Sequence, residues 1–92
     1  MTPAFFTGYR RNAIEPDEVI AGITVPITSY LEFFKCYKQA KRREDDISIV
    51  NAAMRVKFDP ESGQVVDCSL IFGGMAPTTV AATLAQSALI GR

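Results

Sequence analysis

The sequence predicts an α+β fold: an antiparallel sheet of three to four strands with a C-terminal helix packed on one face. Three observations carry this reading. Between Ile49 and Phe58 apolar residues recur at every second position, the period of a strand. Asp59, Pro60, Glu61, Ser62 and Gly63 then form a turn sequence, and a second alternating stretch follows it. Beyond Pro77 the apolar spacing changes to that of a helix. A chain of 92 residues with 48% hydrophobic and 22% charged side chains can build one small core, so residues 1–92 are read as a single domain.

Residues 1–16 read as an extended lead-in. Phe5, Phe6 and Tyr9 surround Gly8 there, followed by Arg10 and Arg11, with no sustained period, and the rings read as core anchors. Pro16, Asp17 and Glu18 then punctuate the start of a first strand, Val19, Ile20, Ala21, Gly22, Ile23, Thr24 and Val25, which Pro26 ends. From Leu31 to Gln39 a second strand places Leu31, Phe33, Lys35 and Tyr37 on one face and Glu32, Phe34, Cys36 and Lys38 on the other. Aromatic residues on both faces predict that it is well covered.

In the third strand Val50, Ala52, Met54, Val56 and Phe58 share a face, opposite Asn51, Arg55 and Lys57. Residues 44–53 contain good helix formers, but the alternation at the end of the stretch favours strand. After the turn, Val66, Cys68, Leu70 and Phe72 alternate with Asp67 and Ser69, completing a hairpin with Cys68 among the core side chains. Gly73 and Gly74 break that strand. Thr78 and Thr79 lead into a helix whose apolar stripe is Val80, Ala81, Leu84, Ala85, Ala88 and Leu89, and Gly91 stops it.

Charge and composition remove several classes of function. Ten basic and ten acidic residues sum to zero, so the long-range field that draws proteins to nucleic acid or an anionic membrane is lacking. No apolar run approaches the roughly 20 residues of a membrane span, and the first residues lack the layout of a secretion signal, so a soluble intracellular setting is expected. Histidine is absent, which removes the commonest general base and the triads built on it; the chain is not expected to catalyse a reaction alone. Cys36 and Cys68 are read as buried free thiols, and no metal site is expected.

One local pattern stands out. Lys41, Arg42 and Arg43 run directly into Glu44, Asp45 and Asp46, with Lys38 shortly before them. Such a block is either a solvated loop whose charges partly satisfy one another, each exposed pair contributing about 0–1 kcal/mol, or a device that sets the potential beside an anionic ligand. Spacing alone does not choose between these. Gly73 and Gly74 match neither the phosphate-loop nor the dinucleotide pattern, and read as a strand-to-helix turn.

Three stretches, Phe5-Phe6-Thr7-Gly8-Tyr9-Arg10-Arg11, the run from Phe34 through Lys38, Gln39 and Ala40 to Asp46 and Ile47, and Phe72-Gly73-Gly74-Met75-Ala76-Pro77, taken together resemble the xanthine dehydrogenase and aldehyde oxidase family. The part resembled is the C-terminal portion of the FAD domain, the module that also closes the flavoprotein subunit of carbon monoxide dehydrogenase. Thr7-Gly8-Tyr9-Arg10-Arg11-Asn12 with Glu15-Pro16 is more similar to invertebrate than to vertebrate xanthine dehydrogenases.

The resemblance implies a molybdo-flavoenzyme of purine catabolism, a homodimer in the cytoplasm or the peroxisome. It would carry molybdopterin and [2Fe-2S] clusters outside these residues, and pass electrons from FAD to NAD or oxygen. It implies that the rest of the FAD domain is this chain's partner and shares the FAD with it. Ile20 is then expected to pack on the flavin ring, Lys38 to approach the cofactor, and the loop of Lys41, Arg42, Arg43, Glu44, Asp45 and Asp46 to lie beside the ring, with Arg42 and Asp45 its leading members. A cation near the flavin's N1 and C2 carbonyl would favour the anionic reduced form, and an acid would oppose it. The alternative is a structural or interaction module of a larger protein with no ligand of its own.

Overall fold

A computed structural model describes residues 3–92; the first two positions of the lead-in lie outside the described residues. Four strands, β1 (Glu32–Gln39), β2 (Val50–Phe58), β3 (Val65–Gly73) and β4 (Val80–Ala81), form one antiparallel sheet in the order β1-β2-β3-β4. A single helix, α1 (Thr83–Leu89), follows, and a 3-10 turn at Pro3–Phe5 precedes the sheet. The predicted fold class is the one observed. No helix among the described residues is long and apolar enough to cross a membrane.

Register explains which side chains meet. Phe33 pairs with Val56, Lys35 with Met54 and Tyr37 with Ala52, while Val56 pairs with Cys68, Met54 with Leu70 and Ala52 with Phe72. Cross-strand partners point the same way, so these rows make one apolar face. Phe33 meets Phe58 on that face edge to face at 6.0 Å. Helix α1 packs there against β3: the Cys68 thiol donates to the Gln86 carbonyl at 3.5 Å, and the Gln86 side-chain oxygen accepts from the Leu70 amide at 2.9 Å. Val65 and Cys68 are buried.

The opposite face is polar at its centre. Arg55 of β2 donates to Glu32 of β1 and to Asp67 of β3, each at 2.6 Å, and so ties three strands together. The Ser29 amide, which donates to Glu32 at 2.8 Å, and then Arg55 hold the Glu32 carboxyl down at about 2, while the bonds to Asp67 and then Glu32 raise the Arg55 guanidinium above its ordinary value.

Several expectations are corrected. Val19, Ile20, Ala21, Gly22, Ile23, Thr24 and Val25 are not a strand, because no backbone ladder within the described residues pairs with them. Val80 and Ala81 are strand rather than helix, held by Phe72 and Ile71. The expected helical stripe does not face the sheet, since Leu84 is 88% exposed and Gln86 makes the contact. A register shift between Lys57 and Phe58 turns Val65 inward in place of Val66, which is exposed. Cys36 is exposed rather than buried, and Phe6 and Tyr9 are exposed rather than core anchors.

Candidate functional site

The β1–β2 connection is not a floppy arc. Its base is closed by the Ile49 amide donating to the Gln39 carbonyl at 2.8 Å. Within it Asp46 is the hub: one carboxylate oxygen accepts from the Arg42 amide at 3.0 Å, and the other from the Ile47 amide at 2.8 Å. The Arg42 side chain adds only a loose ion pair, with its Nε 3.8 Å from Asp46 and 73% of the side chain in solvent. Asp45 adopts a left-handed backbone with φ of 49°, a conformation that Asp tolerates better than most residues.

Lys38 enters this arrangement from the end of β1. Its ammonium donates to the Asp46 carbonyl at 2.8 Å, so the strand end and the loop are fastened to each other. Asp46 organises the loop, a role distinct from the place beside the flavin that the resemblance implies for Arg42 and Asp45. Lys41, Arg43, Glu44 and Asp45 are exposed and make no ion pair among the described residues. The block is therefore not a set of mutually neutralised pairs.

The glycine pair sits directly under the loop's return. Gly74 has φ of 81°, and a Cβ there would collide with the Ile49 carbonyl; a Cβ on Gly73 would lie 2.6 Å from the Asn51 side-chain oxygen. Only glycine lets the end of β3 lie flush against the start of β2. Beside this junction Tyr37, Val50, Ala52, Phe72 and Met75, with Lys38, line an open groove of about 350 Å³. The apolar walls come from adjacent positions on three strands, as the pairing of Tyr37 with Ala52 and of Ala52 with Phe72 requires. Tyr37, Phe72 and Met75 were not singled out as site residues by the sequence. The alternation shows the faces of Tyr37 and Phe72 within their own strands, but not the register that unites them, and Met75 lies beyond the strand.

Ile20 lies elsewhere. It is 53% exposed and lines a groove with Phe5, Ile23 and Val25, separate from the one that Lys38 lines.

Residues 35–92 match the family described as CO dehydrogenase flavoprotein C-terminal domain. The chain is 56% identical over 82 residues to xanthine dehydrogenase of Drosophila subobscura, covering 89% of this chain and 6% of that protein. It is 45% identical over 92 residues to xanthine dehydrogenase/oxidase of Gallus gallus, covering 100% of this chain and 7% of that protein. The higher identity to the fly protein accords with the invertebrate-like motif around Gly8. Reconstituted CO dehydrogenase from Oligotropha carboxidovorans superimposes with a TM-score of 0.82 over 97% of this chain and 30% of its own, at 24% identity, and shares the fold. The chain thus spans a small fraction, 6–7%, of the length of these curated relatives. The shared fold and the extent of the match lead to one assignment: this chain belongs to the CO dehydrogenase flavoprotein C-terminal domain family, and its sequence is similar to that module of xanthine dehydrogenases.

Proposed function

We propose that the chain closes one side of the flavin site in a xanthine dehydrogenase-like oxidoreductase that passes electrons from FAD to NAD or oxygen, and that it performs no chemistry alone. The observation that carries this reading is Lys38, a residue bordering an apolar groove, whose ammonium is fastened to the Asp46 carbonyl. An ammonium has three donors, and this bond uses one. Two remain for the polar edge of a flat ring, while Tyr37, Phe72 and Met75 supply aromatic and thioether surface for its body.

The groove beside Lys38 fits the ring portion of FAD. The phosphate contacts are assigned to the rest of the FAD domain, the partner that also brings Ile20 to the cofactor. FAD, when bound, supplies the two-electron carrier between the reducing centre and the acceptor. Lys38 positions the polar edge of the ring, the groove walls exclude water from its face, and the exposed charges of Lys41, Arg43, Glu44 and Asp45 set the field along the approach of NAD. Molybdopterin, [2Fe-2S] clusters and the homodimer contact lie in other parts of the larger enzyme.

Lys38→Ala and Arg42→Ala in the full-length enzyme test the proposal. Both variants should shift the flavin potential or slow NAD reduction, while substrate still reduces the molybdenum centre at the wild-type rate. Wild-type behaviour of both variants at the flavin would leave the chain as a structural module.

A further inference from the structure

The segment between the lead-in and β1 has the composition of a strand and none of its bonds. From Val19 to Leu31 there is no charged residue. Val19, Ile23, Val25 and Ile27, all β-branched and all at odd positions, are 88%, 68%, 78% and 94% exposed. Successive odd positions of a β-strand share one side, so these four would form one apolar stripe if the segment paired as a strand; in this chain they face solvent, as does Ile20. Among the described residues, no backbone hydrogen bond joins residues 19–28 to the rest of the chain. Proteins protect free strand edges with charges, and this one carries none.

The molecule as a whole has surface to spare. Its accessible area is 7752 Å², against about 5,300 Å² for a folded monomer of this mass. The excess exceeds the ~800 Å² per partner of a standard stable interface. Its radius of gyration is 15.8 Å, where about 12 Å is usual for this length.

We infer that residues 19–25 complete a β-strand by pairing with a strand from the part of the same flavoprotein polypeptide that lies outside these 92 residues. The inference rests on the reading of the chain as one module of a larger flavoprotein. Two observations select this occupant over others. The same fold occupies only 30% of the chain of the CO dehydrogenase structure, so it is built there as part of a longer polypeptide. The stripe is neutral and apolar, which suits a buried neutral strand and offers nothing to a polyanion. Gly22 permits close approach of the partner backbone, and Pro26, lacking an N–H, ends the ladder. The pairing holds Ile20 in a fixed strand position, whereas in the isolated chain nothing bonds its backbone.

Amide hydrogen exchange by mass spectrometry tests this on the full-length enzyme stripped of FAD and on the 92-residue chain. Peptides covering residues 19–25 should exchange at least about 100-fold more slowly in the full-length protein, the protection expected of ladder hydrogen bonds in a stable element. Fast exchange in both proteins overturns the inference. Slow exchange in the 92-residue chain, together with a dimer in sedimentation, overturns it in favour of a second copy as partner. Ile23→Glu in the full-length protein should abolish that protection while β2 and β3 stay protected; retained protection at residues 19–25 again overturns it. The flavin reading fails independently, by wild-type flavin behaviour of Lys38→Ala and Arg42→Ala with the protection intact.

Discussion

Asp46 shows how one carboxylate gives a loop of six charged residues a shape. Its oxygens take the Arg42 and Ile47 amides while its carbonyl takes the Lys38 ammonium, so the side chain fixes the backbone that in turn holds the lysine. Replacing it by alanine leaves both amides without a protein acceptor at a solvent-reachable site, a loss of about 1 kcal/mol. In urea unfolding of the chain Asp46→Ala should show that loss, and by NMR the Arg42 and Ile47 amides should exchange faster while those in β3 do not. A variant with unchanged exchange at both amides would deny Asp46 its role.

Glu32 offers a second test at the same scale. Its carboxyl titrates at about 2 instead of the ordinary 4.5, because the Ser29 amide, then the Arg55 guanidinium, bond its charged form. Asp59 is lowered too, chiefly by the Ser62 amide and then its hydroxyl. A depressed acid contributes stability that is fully present above its unfolded-state value and is lost as pH falls toward its folded-state value. The chain should therefore hold its stability above about pH 4.5 and lose it steadily down to pH 2. Urea midpoints measured across that range should slope less for Glu32→Gln than for the wild type; equal slopes would mean that the Ser29–Glu32–Arg55 bonds persist in the unfolded chain.

Among the elements, the end of β3 lies tightly against the start of β2. Gly74→Ala meets two obstacles, a left-handed backbone and the Ile49 carbonyl, whereas Gly63→Ala, with φ of 71° and open space around it, meets only the first. Left-handed strain alone is about 1–2 kcal/mol. Gly63→Ala should lose about that much in urea unfolding, and Gly74→Ala more by at least about 1 kcal/mol, since the collision needs backbone movement. Equal losses would show that the Ile49 carbonyl yields freely.

The central strands were legible in the sequence because each carries its own period. Residues 50–58 alternate, and the Asp59–Gly63 turn tells where the chain reverses. What depends on a neighbour was not legible. Val19 to Val25 have the composition of a strand, but a strand exists only when another backbone completes its ladder, and none here does. Val80 and Ala81 are too short a strand to show a period, and their adjacency to Ala85 and Ala88 made them read as helix. The extra residue at Val66 is a register event, invisible to alternation. At the site the charge block and Lys38 stood out as residue types, while the groove of Tyr37, Ala52 and Phe72 exists only once register has been set. Asp45 and Asp46 look alike in sequence; only the loop geometry makes one of them the hub.

At the scale of the molecule, packing and area point the same way. Among the described residues only Val65 and Cys68 are buried apolar residues, and much of the apolar surface of β1 and of residues 19–27 faces solvent. Unfolding then exposes less new surface than it would for a compact domain of this mass: about 6,900 Å² in place of about 9,300 Å², taking the usual area of an unfolded chain. The slope of unfolding free energy against urea scales with that area, so the 92-residue chain should unfold with a slope about one quarter below that of compact domains of equal length. The apolar part of that deficit removes stabilisation at about 25 cal/mol per Å², from a total that in most domains is only about 5–15 kcal/mol. The isolated chain should accordingly unfold at low urea with a shallow transition, measured by circular dichroism. A steep transition with a midpoint typical of compact domains would mean that the exposed faces close on themselves in solution, and that the chain completes its core without the rest of the flavoprotein.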